Sequence, residues 1–101
     1  MRLTPRQIEI IRQAAQVAFG PATQVWLFGS RVDDSKRGGD IDLFIETDEP
    51  DVAKIVRAEM AFLAAIKMQL GDQKIDVLVN YPARTAHPPI FEIARQTGVR
   101  L

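Results

Sequence analysis

Three aspartates in this sequence stand where carboxylates can share a cation. Asp40 and Asp42 are separated by one residue, so on an extended strand both side chains project from the same face. Two carboxylates held so close repel each other unless a cation lies between them. An oxygen-only site of this kind suits magnesium, which keeps several waters and completes its shell with substrate phosphates. Asp76 interrupts the otherwise apolar run Ile75-Asp76-Val77-Leu78-Val79, with a phase opposite to Ile75, Val77 and Val79. Upstream, Gly29 and Ser30 close a short apolar stretch; glycine permits close backbone approach, and the serine hydroxyl with the following amides can donate to a phosphate. Arg31 and the Lys36-Arg37 pair add positive charge to the same segment. Each feature has a plainer reading: two acids on a solvated strand, a tight turn, a solvated basic loop. Their combination points to a site for a cation and a phosphate.

The elements that must position these residues follow from patterning. Thr4 as N-cap, Pro5 at the first helical position and Gln7 closing a capping box start a helix. Ile8, Ile11, Ala15 and Ala18 share one of its faces, and Gly20-Pro21 stops it. Val25-Trp26-Leu27-Phe28 is the first strand, ending at Gly29-Ser30, and residues 32–39 read as an exposed loop. Asp40 to Glu46 is the second strand: Ile41, Leu43 and Ile45 bury one face while Asp40 and Asp42 occupy the other. Pro50 near its start, then Val52, Ile55, Val56, Leu63, Ile66 and Leu70 at helical spacing with Gly71 after them, describe a long amphipathic helix that covers the sheet. Lys74 to Asn80 is the third strand, with Asp76 on the face of the first two acids, and Ile90 to Thr97 is a short helix closed by Gly98. Alternation leaves open whether Trp26 and Phe28 belong to the core or to a partner-facing patch.

Bulk composition narrows the function classes. At 101 residues with 47% hydrophobic and 26% charged positions, residues 1–101 are expected to form a single globular domain, with no room for a substrate-binding lobe. Thirteen basic residues balance thirteen acidic ones, which argues against direct nucleic-acid binding. The absence of cysteine excludes a disulfide framework and cysteine-ligated zinc. The start Met1-Arg2-Leu3-Thr4-Pro5 lacks the apolar run of a signal peptide, and no stretch is long enough to cross a bilayer, so a cytoplasmic protein without membrane contact is expected.

Taken together, Leu27-Phe28-Gly29-Ser30-Arg31, then Gly39-Asp40-Ile41-Asp42-Leu43, then Asp76 on a later strand resembles the nucleotidyltransferase superfamily that includes DNA polymerase beta. The run looks like the small stand-alone bacterial members, the minimal nucleotidyltransferases, and the resemblance covers nearly the whole chain. The resemblance implies transfer of a nucleoside monophosphate, AMP from ATP above all, to a hydroxyl with release of pyrophosphate. It implies two magnesium ions about 4 Å apart, bridged by Asp40 and Asp42, with Asp76 holding the ion that activates the acceptor. Gly29 and Ser30 would bind the terminal phosphates, with Arg31 a further phosphate contact. It also implies a helical HEPN-class partner in a hetero-oligomeric toxin–antitoxin pair, this chain being the antitoxin. The competing class is a binding module that neutralises the partner by contact with its active site idle. Two positions depart from the pattern: Gly39 replaces a serine common before the first aspartate, and Val32 a second arginine.

The expected fold is α/β or α+β, a small mixed sheet with helices mainly on one face and the acids on the other. Asp33 and Asp34 are read as solvated loop acids, because Lys36 and Arg37 stand where a calcium loop needs further acids. His87, the one histidine, has no histidine partner and is read as a surface residue. No Gly-x4-Gly-Lys-Ser/Thr sequence is present, which excludes a P-loop.

Overall fold

The computed structural model describes residues 3–28, 41–71, 74–82, 84 and 89–101. Helix α1 spans Pro5–Phe19. The capping box is formed: the Thr4 hydroxyl accepts from the Gln7 N–H at 3.1 Å and the Gln7 side chain accepts from the Thr4 N–H at 2.9 Å. Gly20, at φ 115°, ends the helix in a backbone conformation that a side chain would strain. Strand β1 follows over Gln24–Phe28 and β2 over Ile41–Glu46. Helix α2 runs Val52–Leu70, capped by the Asp51 carboxylate, which accepts from the Ala53 N–H at 2.9 Å. The cap is therefore Asp51, and Pro50 lies just outside it. Strand β3 is Ile75–Asn80, α3 is Pro89–Thr97, and a two-residue strand β4, Val99–Arg100, closes the order.

These strands form one mixed sheet in the order β3-β2-β1-β4. β1 is antiparallel to both β2 and β4, while β3 runs parallel to β2, with α2 as the crossover. β4 was not expected from the sequence. Two residues carry too little alternation to announce a strand, and β4 is held in place by pairing with β1, including the Leu101 N–H donated to the Val25 carbonyl at 2.9 Å.

The main core lies between one sheet face and the two longer helices. Leu27, Ile41, Leu43 and Ile45 from the strands meet Ile11 and Ala15 of α1 and Ile55, Phe62 and Ile66 of α2. Phe19 and Phe62 join the helices through an edge-to-face contact at 5.9 Å. At about 1.5–3 kcal/mol for each large apolar side chain buried, this layer is the main source of stability. The opposite face is not left bare beyond its acids. Phe44 is fully buried there, packed with Phe91 of α3 and flanked by Trp26, Phe28 and Leu78. Thus α1 and α2 cover one face and α3 covers part of the other.

Candidate active site

Cross-strand register defines rows of side chains on the face away from α1 and α2. Phe28, Asp42 and Asp76 form one row, because Phe28 pairs with Asp42 across β1–β2 and Asp42 pairs with Asp76 across β2–β3. Residues directly opposite in a sheet share a face, and neighbouring strands lie about 4.8 Å apart. Asp42 is half-buried and Asp76 exposed. Asp76 is exposed because β3 lies at the edge of the sheet, where solvent reaches the carboxylate.

The next row supports the first. Trp26, Phe44 and Leu78 are register partners, and Phe44 makes edge-to-face contacts with Trp26 at 5.7 Å and with Phe91 at 5.2 Å. The Arg84 guanidinium lies 4.6 Å from the centre of the Phe91 ring and 5.8 Å from that of Tyr81, and its Nη1 donates to the Val79 carbonyl at 3.4 Å. Sequence reasoning missed this aromatic platform. The signal for it was Phe44, an aromatic residue at the acid phase of β2, which only a covered face would accommodate.

Asp42 and Asp76 are therefore brought together. Asp40, Gly29, Ser30 and Arg31 lie outside the described residues, as do Asp33, Asp34 and His87.

A cavity of about 620 Å³ lies elsewhere, between α1 and α2 on the far side of the sheet. Its lining is mainly aliphatic, with Ala14, Val17, Ala18, Ala58, Ala61 and Ala65, and the charged residues Glu49, Lys54 and Arg57 also line it without forming a pair of carboxylates. The in-register carboxylates, rather than the size of that groove, mark the acid row as the candidate site.

A mixed sheet carrying two longer helices on one face and an in-register pair of carboxylates on the other is consistent with a nucleotidyltransferase fold. Residues 7–97 match the family described as nucleotidyltransferase domain, and the chain belongs to that family. A comparison with curated proteins gives no match. No helix among the described residues is long and apolar enough to cross a membrane.

A nucleotidyltransferase domain uses a nucleoside triphosphate and a divalent metal. The two described carboxylates fit such an ion: both are oxygen donors, they are adjacent across strands, and Asp76 is open to solvent and hence to a substrate.

Proposed function

We propose that this chain is a magnesium-dependent nucleotidyltransferase that moves AMP from ATP to a hydroxyl on a HEPN-class helical protein, acting as the antitoxin of a cytoplasmic toxin–antitoxin pair. The observation that supports it most is the register of Asp42 with Asp76 in a chain of the nucleotidyltransferase family. Asp40, Asp42 and Asp76 are the residues that would hold magnesium, whose charge, when bound, lowers the pKa of a nearby hydroxyl and neutralises phosphate oxygens.

The amides near Gly29 and the Ser30 hydroxyl donate to the outer phosphates, and Arg31 adds positive charge there. The acceptor oxygen forms a bond to the α-phosphorus while the bond from that phosphorus to the bridging oxygen breaks. Pyrophosphate leaves with the electron pair, and the hydroxyl proton passes to Asp76 or to solvent. A contact-only antitoxin is the second reading; it is favoured by the aliphatic α1–α2 groove, where Val17 is 87% exposed.

The test is copurification of the chain with its partner, followed by mass measurement of the partner with and without ATP and magnesium. The proposal expects the partner to gain one nucleoside monophosphate only when both are present. Neutralisation without nucleotide and without a mass change would favour contact alone.

A further inference from the structure

We propose that the outer edge of β3 receives an extended segment of the acceptor protein as an added strand, setting its hydroxyl-bearing side chain opposite Asp76. The inference rests on the nucleotidyl-transfer reading and adds how the acceptor is presented.

β3 ends the sheet. The Lys74 and Asn80 carbonyls accept from the Ile41 and Thr47 N–H groups. By alternation, even-numbered residues of β3 therefore turn their main-chain groups toward β2, while Ile75, Val77 and Val79 turn theirs outward. Arg84 already occupies the Val79 carbonyl. Among the described residues nothing pairs with the outward groups of Ile75 and Val77, which flank Asp76. Among the described residues, the unpaired stretch of this edge is thus centred on the acid.

An antiparallel strand bonded to Ile75 and Val77 would place its own residue opposite Asp76 in a non-hydrogen-bonded pair, with Cα atoms about 4.5 Å apart. The side chain of that residue would stand on the acid face, in the row of Asp42 and Asp76. Its neighbours along the strand would lie on the other face near Val52 and Val56 of α2, which are 45% and 52% exposed, so aliphatic residues are expected there. In the added strand, the side chain two residues before the one opposite Asp76 would stand opposite Leu78, near Phe91 and Arg84, in the cleft of about 230 Å³ that follows this edge.

β3 has neither the proline nor the internal lysine that usually blunts an exposed edge. A second copy of this chain is disfavoured as the occupant. Two-fold pairing through the same window would set Asp76 directly against Asp76 of the other copy, and like charges in that position are destabilising.

The probe is the peptide acetyl-Lys-Thr-Val-Tyr-Val-Glu-Lys-amide, with serine- and threonine-centred analogues and a scan of single N-methyl groups. Amide exchange is read residue by residue, without nucleotide. The Ile75 and Val77 amides should slow by about tenfold or more on peptide addition, as open amides enter a ladder. N-methylation of either valine beside the tyrosine should abolish the protection, and N-methylation of the tyrosine itself should not, because its N–H points away from β3. Labelled AMP transfer to the same peptides should follow the same alternation.

Exchange at Ile75 and Val77 that is unchanged up to the peptide's solubility limit overturns the proposal. So does equal transfer to every methylated peptide, which would leave the transferase reading standing. Protection that grows with protein concentration in the absence of peptide assigns the edge to self-pairing and also overturns it. Alternating protection with no label transferred to any peptide would keep the edge site and count against the transferase reading instead.

Discussion

Asp42 and Asp76 are register partners on adjacent parallel strands, so two acids distant in sequence stand side by side on one face of the sheet. Without a cation this is a like-charge pair, which opposes folding. Asp76→Asn should therefore leave the fold intact and stabilise the metal-free protein by at most about 1 kcal/mol. Transfer of labelled AMP should fall on the order of a hundredfold or more, as when one preorganised electrostatic group is lost. Thermal melting beside a transfer assay checks both. A variant that transfers at the wild-type rate would remove Asp76 from the reaction.

Nucleotide and metal binding should be linked, because magnesium relies on phosphates to complete its shell. ATP affinity measured by titration calorimetry should drop when magnesium is replaced by excess chelator. Ser30→Ala should weaken ATP binding by about 1.5–3 kcal/mol, the usual worth of a hydrogen bond to a charged group. Equal affinity with and without magnesium would sink the assignment of Gly29 and Ser30 to the phosphates.

Much of this arrangement is legible in the sequence, for physical reasons. Period-two alternation in Ile41-Asp42-Leu43 and in Ile75-Asp76-Val77 fixes which face each acid takes, and the parallel register then makes the two acids neighbours. The capping box at Thr4 is local chemistry and appears where its residues predict. What was not legible depends on contacts between distant segments. β4 exists only through β1, and Phe44 reads as an anomaly until Phe91 is seen across from it. The order β3-β2-β1-β4, which opens the β3 edge beside Asp76, likewise has no signature in local periodicity.

The cap at Thr4 has a measurable worth. Its hydroxyl satisfies the Gln7 N–H, one of the four donors that the first turn of α1 leaves without an intrahelical acceptor. Thr4→Ala should cost about 1 kcal/mol in chemical denaturation, with the slope of the transition unchanged. Thr4→Ser should restore most of that loss, whereas equal destabilisation by both changes would assign the cost to packing of the threonine methyl.

Glu59 on α2 lines the cleft along β3, and desolvation there raises its carboxyl pKa above the ordinary 4.5. A raised acid binds its proton more tightly in the folded state, so its contribution to stability falls as pH rises from the ordinary carboxylate range through the folded pKa. Glu59→Gln should consequently stabilise the protein at neutral pH. The gain should shrink as pH falls and vanish where both folded and unfolded carboxyls are protonated. Solvent screening at this partly exposed position keeps the gain small. Parallel melting curves across that range test the sign, and a gain that grows as pH falls would contradict the desolvation argument.

Phe91 joins α3 to the platform beneath the acid row. Its ring meets Phe44 edge to face and carries the Arg84 guanidinium on its own face, yet it belongs to a smaller cluster than the core under α1 and α2. Phe91→Ala should cost about 3 kcal/mol, the low end for losing a buried phenylalanine, because this shallow cluster can partly collapse. Phe44→Ala, at a fully buried site between two rings, should cost nearer about 5 kcal/mol, a large share of the stability of a small domain. The consequence for function differs from that for stability. Phe44 lies on the strand that carries Asp42, whereas Phe91 lies on α3 and meets that strand through Phe44. Phe91→Leu, which keeps apolar volume but removes the aromatic face, should hold most of the stability and keep magnesium-dependent ATP binding, while loosening Arg84 from the β3 edge. Urea titration of the three variants, with ATP binding measured on each under native conditions, separates the two effects. If Phe91→Leu lost ATP binding while remaining folded, the platform would be part of the nucleotide site rather than its support.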